Sequence, residues 1–195
     1  MRRHVLSAFG ALALGLVAAA GPSQAATLPD TVPASGSFAF TTGNGILPTW
    51  SADDIVLIGV SPGSVTTSPN NLNARVRMPI VAKTGTANAA AGGFRLYNST
   101  TLDSLRCSSP TIDTRANVID CVLPSGKNAK LFAIVSTVSR SVISGSSTIT
   151  TIYRGMTLRI NGQRMADMLN ESLSTTTFSP YVTVGKGDLV VTVDK

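Results

Sequence analysis

From residue 36 onward, apolar and polar side chains alternate in short runs, and each run ends in a cluster of Gly, Pro, Asn or Ser. Alternation with period two belongs to a half-buried strand, and turn formers at this density favour an all-β architecture. Ser37-Phe38-Ala39-Phe40 is one such run and ends at Thr41-Thr42-Gly43-Asn44-Gly45. Ala74 to Ala82 sets Val76, Met78 and Ile80 against Arg75, Arg77 and Pro79. Pro79 has no N–H to donate, so its strand is expected at an edge or bulged there. Phe94 and Leu96, the Thr100 to Leu105 region and Val118 to Leu123 supply further strands. Lys130 to Ser144 is rich in β-branched residues and turns through Ser144-Gly145-Ser146-Ser147 into Thr148 to Ile160, which predicts a long hairpin. Asp188 to Val193 places Leu189, Val191 and Val193 on one face, after an expected turn at Gly185-Lys186-Gly187.

One stretch leaves the two-residue period. Asn161 is an expected N-cap, and Met165, Met168 and Leu169 follow at helical spacing before a Ser/Thr cluster from Ser172 to Thr177. The spacing predicts a short helix whose methionines pack inward, since Met fills irregular core gaps. A weaker helical turn is predicted at Ser51 to Ile55, with Ser51 as cap and Asp53 and Asp54 in the first turn. The expected fold class is all-β: a single β-sandwich, or a partly closed barrel, with one short helix over residues 36–195.

The N-terminus has a different character. Arg2, Arg3 and His4 precede an apolar run from Val5 to Ala20 broken only by Ser7, and Ser23-Gln24-Ala25 follows. This is the layout of a secretory signal peptide over residues 1–25, with a flexible lead-in at 26–35. The run is shorter than the roughly 20 residues of a spanning helix, so no membrane span is expected in the mature form. The arginine pair also suits twin-arginine export, but Sec export is favoured. The expected location is secreted, either extracellular or associated with the cell surface, and the Ala-rich signal has a bacterial look.

Cleavage after Ala25 would remove His4, the only histidine, and leave Glu171 as the only glutamate. It would also lower the formal charge from +6 to +4 by removing Arg2 and Arg3. The remaining Lys and Arg are scattered from Arg75 to Lys195, and aromatics make up 5% of the chain, so nucleic acid is not an expected partner. Cys107 and Cys121 form an even pair in a chain bound for an oxidising compartment, and a disulfide between them is expected. With a turn at Thr114-Arg115-Ala116-Asn117, the bridge would staple the arms of a hairpin. A redox or metal role lacks a C-x-x-C spacing and further ligands, so no metal and no cofactor are expected.

Gly59-Val60-Ser61-Pro62-Gly63 matches the nucleophile-elbow string, but Pro62 has no N–H for an oxyanion hole and no mature histidine would activate Ser61. It reads as a turn. Acid-base work without histidine would fall to Asp53 with Asp54, or to Asp167 with Glu171, which share an exposed helix face. Asn98-Ser99-Thr100 and Asn170-Glu171-Ser172 fit glycosylation sequons but read as turn and helix-end residues.

Tyr97, Tyr153 and Tyr181 are the residues left that would ligate haem iron strongly once the cysteines are bridged. The C-terminal half carries Thr157-Leu158-Arg159-Ile160, then Ala166-Asp167-Met168-Leu169-Asn170 and a late Phe178 with a glycine turn. This layout resembles actinobacterial secreted domains of the HtaA-like type. The resemblance implies a β-rich scaffold and, in haem-transport members, a tyrosine ligand supported by a histidine, which the mature chain here lacks. The expected function is therefore a non-enzymatic exported protein acting by binding or structural contact with an unknown surface or extracellular partner. The alternatives are a binding module for a haem-like or other apolar small ligand, and an Asp/Glu-dependent hydrolase.

Overall fold

The computed structural model describes residues 30–195, so the expected signal peptide at 1–25 and the first residues of the lead-in lie outside the described residues. The described strands are β1 (Thr31–Pro33), β2 (Ser35–Thr42), β3 (Ile55–Val60), β4 (Ser64–Thr67), β5 (Ala74–Thr84), β6 (Ala87–Ala90) and β7 (Gly93–Asn98). They continue as β8 (Ser104–Asp113), β9 (Val118–Val122), β10 (Asn128–Ser136), β11 (Ser139–Ser144), β12 (Thr148–Ile160) and β13 (Thr183–Asp194). Two helices interrupt them, α1 (Ile46–Ala52) and α2 (Gln163–Leu173).

Eight antiparallel strands close on themselves in the order β5, β2, β13, β12, β10, β9, β8, β6 and back to β5. The all-β expectation holds, and closure decides between its two forms in favour of the barrel. The closing strand is β6, four residues that pair with β5 on one side and β8 on the other. Ala87-Asn88-Ala89-Ala90 carries no β-branched or aromatic signal, so its role is invisible in the sequence. Below β6 the barrel wall divides: β8 continues with β7 and then β3, while β5 continues with β4.

The inward positions follow the alternation. Val76, Met78 and Ile80 of β5 are buried, as are Leu189 and Val191 of β13. Four phenylalanines meet at the centre: the Phe40 ring lies 5.8 Å from Phe94, 6.1 Å from Phe132 and 6.1 Å from Phe38. Such offset and edge-on pairs fill the interior with apolar area in favourable geometry. Cys107 and Cys121 are bridged and tie β8 to β9, as the hairpin reading expects.

Several local expectations change. Thr31–Pro33, inside the expected flexible lead-in, pairs with Ala82–Thr84 of β5. Gly185 and Gly187 lie within β13 rather than in a turn. A Cβ on Gly185 would stand 2.0 Å from the Thr41 carbonyl oxygen, so glycine is there for close backbone approach. The earlier helix is α1, which ends at Ala52, so Ser51 does not cap it and Asp53 and Asp54 follow its C-terminus. Asn161 does not cap α2 either: Gly162 occupies that position, and the Asn161 amide instead donates to the Lys130 carbonyl at 3.0 Å. Pro79 sits in a strand paired on both sides, yet its own place is a local edge. Its carbonyl accepts from Ala91 N–H at 2.9 Å, in the gap between β4, paired up to Arg77, and β6, paired from Ile80.

Asn98 shows how the α2 end is fixed. Its buried amide donates to the Leu173 carbonyl at 2.8 Å, one of the orphan acceptors of the last helical turn. Its oxygen accepts from the N–H groups of Thr100 and Thr101 at 3.0 and 3.1 Å. Asn98→Ala is expected to cost about 2 kcal/mol, because it leaves a buried carbonyl and a tight turn without partners. Urea denaturation checks this, and a loss below about 0.5 kcal/mol would contradict it.

The β8–β9 turn is held by Asp113, whose Oδ1 accepts from Arg115 N–H, Ala116 N–H and the Thr86 hydroxyl at 2.9, 3.0 and 2.9 Å. Partial burial pushes its carboxyl up, but those donors and the Arg115 charge together hold it below the ordinary aspartate value. A carboxylate depressed in the folded state stabilises above its unfolded pKa of about 4 and loses that contribution as pH falls through the folded value. Asp113→Ala should therefore lose less stability than the parent between about pH 6 and pH 2. Thermal melts across that range decide it, with equal acid sensitivity as the contrary result.

Candidate functional site

A cleft with an apolar and cationic lining lies where α2 crosses the end of the β9–β10 hairpin. The hairpin turn is closed by Leu123 N–H to Lys127 carbonyl at 2.9 Å and Gly126 N–H to Leu123 carbonyl at 2.8 Å, which presents Lys127 at its tip. Asn161, tied through its backbone N–H to the Leu131 carbonyl at 3.1 Å, delivers the chain to α2 beside β10. Gly162, at φ 83°, makes the corner that an L side chain would strain.

On α2, Ala166, Leu169 and Leu173 form the buried face. Met165 and Met168, expected to point inward, are half-buried: they pack against the core and also line the cleft. Ala166, Leu169 and Leu173 sit wholly within the barrel contact, and the methionines border it. With Leu123 and Ala129 they give an apolar, conformationally adaptable lining to a cleft of about 510 Å³. Lys127, Lys130 and Arg164 complete it with Asn128 and Asn161, and no carboxylate lines it. The first turn of α2 has no acidic residue, so the positive end of the helix dipole adds to these three cations. The arrangement suits a ligand with an apolar body and an anionic group.

The three tyrosines fall in three places. Tyr97, on β7, is half-buried under the Arg95 guanidinium, 4.8 Å from the ring centroid. Tyr153, on β12, stands at the barrel end remote from α2, where its hydroxyl meets the Thr114 hydroxyl at 3.4 Å beside a cavity of about 80 Å³. That volume is far below the roughly 300–1,000 Å³ of sites for cofactor-sized ligands. Tyr181 is 68% exposed, and its hydroxyl lies 3.9 Å from where a Cβ on Gly162 would stand. It is thus the tyrosine next to the cleft, since Asn161 and Arg164 on either side of Gly162 line that cleft.

The carboxylates are not assembled into a pair. Asp53 accepts from the Thr177 hydroxyl, while its neighbour Asp54 accepts from the Thr100 hydroxyl at 2.6 Å. Asp167 and Glu171 are exposed, and Asp167 accepts from the Gln163 amide at 2.7 Å. Ser61 lies in the turn between β3 and β4, with Gly63 N–H donating to the Val60 carbonyl at 2.8 Å, as the turn reading expects. Among the described residues no three His, Cys, Asp or Glu side chains form a group able to hold a metal ion. No described helix is long and apolar enough to cross a membrane.

Sequence reasoning missed Lys127, Lys130 and Arg164 as a set. They belong to a turn, a strand and a helix, and no local spacing joins them. No protein-family model matches the chain, and no curated protein matches it. Among solved structures it is similar to the haem-binding protein HtaB from Corynebacterium glutamicum, with a TM-score of 0.52 and 10% identity over 86% of this chain and 98% of that one. At that identity the likeness is one of fold, and it agrees at that level with the HtaA-like resemblance read from the C-terminal half.

Proposed function

We propose that this chain is an exported, non-enzymatic binding protein whose α2 cleft holds an amphipathic anion. The observation that carries this reading is the cleft lining: Leu123, Ala129, Met165 and Met168 with three cations and no carboxylate. Its volume falls in the range of small-molecule sites. Haem, which HtaB binds, is of this chemical class, with an apolar macrocycle and two carboxylates. Tyr181, exposed and beside Gly162, is the tyrosine that would serve as ligand to a haem iron bound there.

Calorimetric titration with haem, iron-free protoporphyrin and a long-chain fatty acid tests the reading. Saturable binding is expected, and Lys127→Glu with Arg164→Glu should weaken it about tenfold or more at low salt, because both charges face the anionic group. With haem, Tyr181→Phe should abolish the visible band of a tyrosine-ligated iron. The reading fails if none of the three ligands binds, or if the charge reversals leave binding unchanged.

A further inference from the structure

The barrel end away from α2 carries a second site of different chemistry. β9 runs from this end at Val118 to the cleft end at Val122, so the two places lie at opposite ends of one strand. Here the β5–β6 hairpin, the β8–β9 turn and the strands β11, β12 and β13 surround a cavity of about 80 Å³. That is room for two or three waters, at about 30 Å³ each. Lys83 and Arg140 line it together with Asn88, Thr151 and the Tyr153 hydroxyl, and no carboxylate does.

Two of these residues are almost wholly buried, and each keeps one polar atom without a hydrogen bond to the described residues. Asn88 is 3% exposed, and its Nδ2 donates to two backbone carbonyls, Thr86 and Ile112, both at 3.0 Å. Two carbonyl acceptors on one atom fix which end of the amide is nitrogen. Its Oδ1 accepts no hydrogen bond from the described residues, yet it is not sealed inside the protein. Thr151 is 9% exposed, and its hydroxyl likewise makes no hydrogen bond to the described residues. Both atoms keep a little solvent access, so they are open to a partner that enters the cavity both residues line.

We infer that this mouth binds a small oxyanion that still carries a proton, of the hydrogenphosphate or hydrogencarbonate kind. Lys83 and Arg140 select negative charge. The Thr151 and Tyr153 hydroxyls donate to its oxygens, and Asn88 Oδ1, an acceptor with no donor of its own, takes the remaining O–H. Sulfate has no proton to offer at neutral pH and would set oxygen against oxygen. A phosphate monoester is mostly ionised at pH 7.5, with its second pKa near 6, and so also lacks the proton.

The test is a titration of the ¹⁵N-labelled protein at pH 7.5 with sodium phosphate, hydrogencarbonate, sulfate and glycerol phosphate. Saturable shifts of the Asn88 side-chain amide and of residues 83–88, 114 and 151–153 are expected with phosphate or hydrogencarbonate. Sulfate and the ester should bind at least about tenfold more weakly, the order that one unpaired buried acceptor imposes. Lys83→Gln with Arg140→Gln should lower affinity about tenfold, whereas Arg75→Gln, exposed on β5, should not. Thr151→Val removes a hydroxyl without a protein partner, so it should fold normally and still weaken binding. The inference is overturned if neither protonated anion saturates, if sulfate or the ester binds as tightly, or if the shifts gather at residues 123–130 and 161–168. Because those last residues form the α2 cleft, failure here and failure of the amphiphile reading are separately visible.

Discussion

Phe40→Ala is expected to lower the unfolding free energy by about 3–5 kcal/mol, the usual cost of emptying an aromatic site in a packed core. Phe40 is 2% exposed and touches three other phenylalanines from three regions of the barrel wall, Phe38 on β2, Phe94 on β7 and Phe132 on β10. Its loss leaves a cavity that the wall cannot collapse into, because a closed ring of hydrogen-bonded strands resists a local change of radius. For a domain of this size the melting temperature should fall by roughly 2–4 °C per kcal/mol. Urea denaturation with an unchanged slope checks it. A loss under about 1 kcal/mol would mean that the aromatic cluster is not the centre of the core.

The second large effect is expected at the disulfide. Replacing both Cys107 and Cys121 by alanine should cost about 3 kcal/mol, since the bridge closes a loop with a sequence separation of 14 in the unfolded chain. The bridge also acts where the ladder is weakest. The β8–β9 pairing is regular from Thr111 to Asp113 but shifts register between Ser108 and Thr111, and Cys107 lies just beyond that interruption. Cys107 and Cys121 are 0% and 1% exposed, so the alanine pair also loses buried sulfur contacts. The double variant and the parent, compared by urea denaturation without reductant, give the measurement. Equal midpoints would show that the hairpin is held by its hydrogen bonds and turn alone.

These two sites differ in how far the sequence revealed them. The cysteine pair was legible because its spacing, its intervening turn and its flanking β-type runs are all local. The phenylalanines were legible as inward-facing residues of separate strands, but not as one cluster. Phe40 and Phe132 are far apart in the chain, and β2 and β10 are not hydrogen-bonded to each other. The α2 cleft was the least legible. Met165 and Met168 have helical spacing, which signals a helix but not which part of its surface the barrel will cover. That depends on the crossing over the β9–β10 end, fixed by Asn161 and Asn98 through bonds to backbone carbonyls distant in sequence.

The mouth at Tyr153 has the same origin. Asn88 reads as one polar residue in an alanine-rich turn, and Thr151 as one of several threonines in a long strand. Only barrel closure through β6 puts both on the inner surface beside Lys83 and Arg140.

What the sequence determined by itself was therefore strand against helix, the inward face of each strand, the bridged hairpin and the turn at Ser61. These follow from interactions between residues a few positions apart, where periodicity and turn chemistry act directly. Tertiary structure alone decided that the sheet closes into a barrel, that the methionines of α2 border a cationic cleft, and that the opposite end gathers Asn88 and Thr151 beside two cations. Each depends on which distant backbone groups meet, because closure is governed by shear and by the pairing of one featureless short strand.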